Sequence, residues 1–346
     1  MKRRAGQRGR TSAAQLARLV GVSAASVSYA LNGRPGVSEQ TRRRILEEAA
    51  KVELISPDEV HARARTTIAA IGLVLGDIQN PFYADLARLV AEVARRWGFE
   101  VFSTHTNDDP KSIKRAVVSL LDHEVEAMIL TAAQVGDATI FRLMKQARIP
   151  FVQISRRFPG LAANFVGIDD EAAGFEIMKH VLSHQYRDVA IVSGPKVSVA
   201  SRDRRAGWLR ALAQAKINLP TNRRLTTTLG EDGGREAAKF LLASSSLPDV
   251  VVCGSDAMAF GLIETFYSAG LCVPNDVAVT AYDGLNSASS RLLNLTTVVQ
   301  PRSLMAEKAV SIVASALTRP KHGPIVTLCP HTLYIGNSCG CPGKPV

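Results

Sequence analysis

Several absences limit what this 346-residue chain does. Its five cysteines, Cys253, Cys272, Cys329, Cys339 and Cys341, are odd in number and scattered, so reduced thiols are expected rather than a disulfide framework. Cys339 and Cys341 form a C-x-C pair. With no histidine near them in sequence and no second pair, they do not make a closed zinc site, and neither metal nor cofactor is expected. No run approaches the roughly 18 apolar residues of a membrane span. The basic stretch Met1 to Arg10 leads into an amphipathic segment instead of a signal-peptide core, so a cytoplasmic protein without a membrane partner is expected. A Gly-rich phosphate loop, paired catalytic carboxylates and a Ser-His-Asp set are all missing where this chain would need them, which argues against an enzyme.

The hydrophobic content of 46% is enough for sizeable cores in two or three domains. The net charge of +11 is unevenly spread: residues 1–65 hold 13 Lys/Arg against 6 Asp/Glu, a net of +7. A basic head on a nearly balanced body suits a polyanion, because Lys and Arg displace counterions condensed on phosphates. On charge alone, a solvated basic tail at Lys2, Arg3, Arg4, Arg8 and Arg10 accounts for it equally well.

Local pattern favours the first reading. Ser12 is placed to cap a helix carrying Leu16, Leu19 and Val20 on one face, and Gly21 ends it. Ser23 caps a second short helix from Ala24 to Leu31, stopped by Asn32-Gly33. A third helix, about Ser38 to Val52, offers Ile45, Leu46 and Ala49 for packing and Arg42, Arg43 and Arg44 for the surface. Two short helices across a Gly-containing turn make a helix-turn-helix, whose second helix enters the major groove of DNA. A small dimerisation or capping module is the alternative.

The run Leu16-Ala-Arg-Leu-Val-Gly-Val-Ser-Ala-Ala-Ser-Val-Ser-Tyr-Ala-Leu-Asn-Gly33, followed by Val37-Ser38 and Thr41-Arg42, resembles the head of the lac repressor/galactose repressor family. The resemblance implies that Ala24, Ala25 and Tyr29 face bases of double-stranded operator DNA, with Ser12, Ser23, Ser26, Ser28 and Asn32 on the backbone. Tyr29 stands where many members carry Arg. It offers one hydroxyl and an apolar ring in place of a bidentate guanine contact, and the alanines touch only thymine methyls. The chain is expected to divide into a head at 1–55, a hinge or linker at 56–66 and a body at 67–346.

Ser56-Pro57-Asp58-Glu59 is a helix start with a cap, a proline at the first position and acids at the positive dipole end. The resemblance makes this the hinge helix, whose intercalating leucine is replaced here by Ala64. A methyl cannot unstack a base step as a leucine does, so weaker operator bending is expected. A plain surface linker is the other reading.

From Ile68 onward short apolar runs alternate with amphipathic helices, and a second such series begins near Val166. The fold class that follows is an all-α helix-turn-helix head on an α/β body of two doubly wound parallel-sheet lobes. The lobes are expected at about 67–165 with 296–322, and 166–295 with 323–346. Ligands of such sheets bind outside the carboxyl ends of the strands, and a cleft between lobes is the natural place. The body resembles the periplasmic sugar-binding fold through Asn80-Pro-Phe-Tyr83, Arg204-Arg-Ala-Gly-Trp208, Ser255-Asp-Ala-Met-Ala-Phe-Gly261, Val273-Pro-x-Asp276-Val277 and Leu295-Thr-Thr-Val-Val-Gln-Pro301.

That likeness implies that Phe82 walls a sugar-like small-molecule effector, that Arg204 and Asp256 hydrogen-bond it, and that Asn80 and Arg156 lie near. Each has a plain alternative: Phe82 as core, Asn80 as a cap, Arg204 and Asp256 paired with each other. Ser155 stands where Asp is usual before Arg156, and Ser255 where Asn is usual before Asp256. The lost carboxylate leaves Arg156 and Arg157 less compensated, which suggests an acidic or phosphorylated sugar. The resemblance implies a homodimeric repressor on a palindromic operator. The rivals are a solute-binding protein and a regulator that answers to a protein partner.

Overall fold

The computed structural model describes residues 12–32, 36–52, 54–55, 69–132, 134, 138–158, 160–318 and 323–342. The expected hinge at 56–66, with Ala64, lies outside the described residues.

The head is three short helices, each begun by a serine. In α1 (Ala13–Val20) Ser12 Oγ accepts from Gln15 N while the Gln15 side chain accepts from Ser12 N at 2.7 Å, a reciprocal cap. Gly21, at φ 73°, ends it in the left-handed conformation that suits glycine. Ser23 caps α2 (Ala24–Leu31) and Ser38 caps α3 (Glu39–Lys51). Leu16, Val27, Ala30, Ile45, Leu46 and Ala49 are fully buried in one small core.

Two expectations change here. Leu19 is 63% exposed, because the packed stripe runs over Leu16, Ala17 and Val20 and leaves position 19 about 100° of helical turn from its centre. Arg42 is buried and not on the surface: its Nη1 donates to the carbonyls of Tyr29 and Ala30 at 3.2 and 3.4 Å. A cation at the C-terminal end of α2 satisfies carbonyls that the helix cannot and suits the negative end of its dipole.

The first lobe follows the expected βα alternation: β1 (Ala69–Leu75), α4 (Pro81–Arg96), β2 (Phe99–His105), α5 (Pro110–Asp122), β3 (Ala127–Leu130), α6 (Ala138–Gln146), β4 (Phe151–Ile154) and β5 (Asn164–Gly167). The second continues with α7 (Asp170–Ser183), β6 (Val189–Ser193), α8 (Val199–Gln214), β7 (Arg224–Thr226), α9 (Glu231–Leu242), β8 (Val250–Cys253), α10 (Asp256–Ser268), β9 (Ala278–Asp283) and β10 (Thr296–Val299). The chain closes with α11 (Arg302–Thr318), β11 (Val326–Leu328) and β12 (Thr332–Tyr334). Central strands such as β3, β4 and β8 are buried at every residue, as sheets covered on both faces require.

Strand order is β2-β1-β3-β4-β5-β11 in one sheet and β7-β6-β8-β9-β10-β12 in the other, parallel throughout except for β10 with β12. Pairing corrects the expected lobe boundaries. Residues 164–167 and 326–328 belong to the first sheet, and 296–299 to the second. The chain therefore crosses between lobes near residues 168, 300 and 330. Each sheet reverses its winding between its first and third strands, so the open crevices lie beyond the carboxyl ends of β1 and β3 and of β6 and β8.

In the second lobe α7 and α8 pack backbone to backbone at Gly174 and Gly207. A methyl on Gly207 would collide with the carbonyl of Glu171, and one on Gly174 with that of Arg204. Gly207→Ala is expected to destabilise the chain by about 1–3 kcal/mol, the usual cost of overpacking, read as a lower urea midpoint with unchanged slope.

Candidate functional site: reading helix and interlobe cleft

The N-terminal half of α2 presents Ala24, Ala25 and Ser28 as exposed residues, with Ser26 half-buried and Tyr29 39% exposed. The Tyr29 ring lies against Gly36, whose added Cβ would sit 3.2 Å from it. Ser23 Oγ accepts from Ser26 N at 3.0 Å and lies 2.9 Å from Ser26 Oγ, so both hydroxyls sit at the positive end of the helix, where a phosphate is favoured. Asn32 Nδ2 donates to the Ser28 carbonyl at 2.8 Å, closing the other end. Ser12 is engaged as the cap of α1. Of the nine residues expected on DNA, eight lie in the described head and Ala64 does not.

The crevices of the two sheets face one narrow cavity of about 10 Å³, roughly the room of one water, lined by Asn80, Phe82, Tyr83, Ser155, Arg156, Ser198, Ser201, Arg204 and Asp283 among others. It shares Ser155 and Ala200 with a wider depression of about 270 Å³. Four expected effector residues, Asn80, Phe82, Arg156 and Arg204, thus come together. Asp256 does not line the cavity. It is fully buried, accepting from Leu285 N at 2.6 Å and Thr297 Oγ1 at 2.5 Å, and so braces the turn that follows Asp283. The pairing of Arg204 with Asp256 is also absent. Arg204 Nε donates to Asp170 Oδ1 at 2.8 Å and Nη1 to the Gly254 carbonyl at 2.8 Å, while its guanidinium lies 3.8 Å over the Tyr282 ring.

Asp283 is the residue that sequence reasoning missed. It ends β9, 3.8 Å from Arg204 Nη1, and accepts from Gln300 Nε2 at 2.8 Å. The apolar run Val277 to Thr280 stops three residues short of it, so the rule that strand ends carry the site does not reach Asp283 from sequence. Two cavity residues, Asp283 at φ 121° and Ser155 at φ 67°, hold backbone conformations rare for side-chain-bearing residues. Such strain gathers at ligand sites, where surrounding contacts over-determine it. Ser201 Oγ is buried in the cavity lining with no hydrogen bond among the described residues.

The charge balance corrects the expectation of an acidic ligand. Arg156 pairs with Asp108 at 2.7 Å and Arg157 with Asp203 at 3.7 Å, so carboxylates from other elements replace the one missing at Ser155.

Asn80 does cap α4, giving its Oδ1 to Phe82 N at 3.0 Å, yet its Nδ2 also reaches the Leu229 carbonyl of the other lobe at 3.3 Å. Ser255 Oγ donates to that same carbonyl at 2.6 Å. Phe82 combines both readings as well, being 2% exposed and part of the cavity wall.

Residues 68–337 match the family of periplasmic binding proteins and sugar binding domain of LacI family, and residues 14–55 match bacterial regulatory proteins, lacI family. The chain belongs to the LacI family. It is similar to the ribose operon repressor of Escherichia coli K12, with 28% identity over 88% of this chain and 92% of that one. It is also similar to the transcriptional regulator GalR of Salmonella typhimurium LT2, 29% identical over 90% of this chain and 91% of the other. A lac repressor dimer bound to operator and an anti-inducer shares the fold, with TM-score 0.71 and 20% identity over 96% of this chain and 99% of that one. The head and two-lobed body of this LacI-family regulator are those expected, and no described helix is long and apolar enough to cross a membrane.

Burial pushes the Asp283 carboxyl up to about 6, although Arg204, Gln300 and Arg302 each pull it down. A carboxyl raised on folding stabilises the native state at low pH and loses that contribution as pH rises through its folded value. Stability of the ligand-free protein is therefore expected to fall between about pH 4 and 6.5, and Asp283→Asn to flatten that slope in urea titrations. An unchanged slope in the variant would place the titration elsewhere.

Proposed function

We propose that this regulator represses transcription as a cytoplasmic homodimer on a palindromic operator. It catalyses no reaction, and its grip on DNA is coupled to a neutral sugar-like effector in the interlobe cavity. The observation that carries the ligand class is the cavity's chemistry. Each buried arginine already has a carboxylate partner, leaving a lining of directional donors and acceptors with no uncompensated positive charge. Such a lining suits hydroxyls, with Asp283 accepting, Arg156, Arg204 and Asn80 donating, and Ser201 doing either. Phe82 supplies the apolar wall.

The relatives support this reading: one is named for repressing a ribose operon, and the lac repressor structure is a dimer on its operator. A single helix-turn-helix contacts one half-site, and two-fold pairing matches a palindrome. The match of residues 14–55 to a regulatory head argues against a solute-binding protein.

Titration calorimetry of the full chain against pentoses, hexoses and their uronic acids and phosphates tests the ligand class. A neutral sugar is expected to bind, more weakly as pH falls through about 6, because a protonated Asp283 no longer accepts two hydroxyl protons. Asp283→Asn is expected to weaken binding at least about tenfold, the cost of unpairing one buried polar contact, and to remove the pH dependence. Binding of acids alone would overturn the ligand class. Gel shifts with genomic fragments, with and without that sugar, test the coupling.

Ala64 supports a second expectation, an operator bent less than one wedged open by leucine. Circular-permutation gels should show a small mobility change for the wild-type chain and a larger one for Ala64→Leu. Equal, strong bending by both would sink the idea.

A further inference from the structure

The C-x-C pair acquires in the fold what it lacks in sequence. His180, in the last turn of α7, and His184, its C-terminal cap, are four residues apart and so share a helix face. The segment after β12 lies against that face. Nitrogen or sulfur donors of His180, His184, Cys339 and Cys341 all lie within 4.8 Å of one another. His180 Nε2 is 3.3 Å from Cys339 Sγ and 3.8 Å from Cys341 Sγ, and His184 Nε2 is 3.3 Å from Cys341 Sγ.

We propose that these four residues form a tetrahedral binding site for a thiophilic divalent cation of the zinc class. With Zn–S near 2.3 Å and Zn–N near 2.0–2.1 Å, tetrahedral coordination sets donor separations of roughly 3.3–3.8 Å, the spacing of the three nitrogen–sulfur pairs. The two imidazoles meet edge to face, 5.1 Å apart at 83°, so their nitrogens converge and the rings do not stack. Two thiolates neutralise a dication, and two soft sulfur and two imidazole ligands select against magnesium and calcium.

The surroundings hold the ligands in place. Thr296 Oγ1 donates to Cys339 Sγ at 3.0 Å, and Tyr186 donates its hydroxyl to the Cys339 carbonyl at 3.0 Å while its ring stacks on His184 at 5.6 Å. Gly340, at φ 90°, turns the chain between the cysteines where a Cβ would stand 2.6 Å from the Tyr186 hydroxyl. Outer contacts of this kind are what a built metal site uses to orient its ligands. The site clamps the segment after β12 to the far end of the helix whose first residue, Asp170, holds Arg204. The competing chemistry for the same sulfurs is a Cys339–Cys341 disulfide.

The test uses the reduced full chain, stripped of metal with a chelator and titrated with Co²⁺ and then Zn²⁺. One equivalent of Co²⁺ is expected to give tetrahedral ligand-field bands with thiolate charge-transfer absorption, displaced by Zn²⁺. His184→Gln and Cys341→Ser, both at partly exposed positions, should each weaken binding at least about tenfold with unchanged circular dichroism. Cys272→Ser, at an exposed thiol away from the site, should leave it intact. Any of three results overturns the proposal: no tetrahedral cobalt spectrum, equal affinity in the His184→Gln/Cys341→Ser double variant, or a C-x-C disulfide whose reduction restores no metal uptake.

Discussion

A guanidinium buried in the second lobe sets the constraint on which the body depends. Arg204 is 5% exposed, and an unpaired cation there would cost several kcal/mol in lost hydration. Its neighbours repay that cost by geometry. Asp170 opens α7 and Tyr282 lies in β9, and the tyrosine hydroxyl donates to the same Asp170 oxygen at 2.9 Å that Arg204 holds. The Gly254 carbonyl takes another donor, and Asp283 stands beyond. Helices α7 and α8 meet at glycines close enough to keep this pair in register. The arginine is thus fixed by elements from most of the lobe, and its free edge is available to a ligand in one orientation only.

The same economy links the lobes. Arg302, where the chain passes from β10 into α11, donates to Asp85 of the first lobe at 2.7 Å and to the carbonyls of Asp283 and Gly284 in the second at 2.8 and 3.0 Å. Asn80 reaches across the cleft to the Leu229 carbonyl, which Ser255 of the second lobe also holds. A few directional bonds near the cavity thus join the two lobes. In the regulation proposed above, effector and operator each change the other's affinity by the same factor, because linkage between two binding sites is reciprocal.

Much of this was legible beforehand where local chemistry decides it. Serine caps, Gly21 and the helical stripe set the head, and apolar runs of four to eight residues set the sheets. Legibility failed where a long-range partner decides. Nothing near Arg42 in sequence says that it will reach the carbonyls of α2, and nothing near Ser155 says that Asp108 will neutralise Arg156. The place of β11 in the first sheet is likewise a matter of pairing with β5, more than a hundred residues earlier, and invisible to periodicity. The C-x-C pair is the sharpest case, since its two histidines lie more than 150 residues earlier.

The departures from family pattern at Ser155 and Ser255 belong to one rearrangement. Ser155 holds a positive φ at the end of β4, and Arg156 takes a carboxylate from the loop after β2. A shorter side chain at 255 caps α10 through Met258 N and donates to Leu229, the carbonyl that Asn80 also uses. Ser255 thereby fixes the backbone around the cavity, while Ser155 remains in its lining. An acid and a free hydroxyl still line the cavity, at Asp283 and Ser201. Local rules are broken most openly at Asp283, an aspartate in a glycine-like conformation with a reluctant charge, which is where a binding site is expected to concentrate its strain.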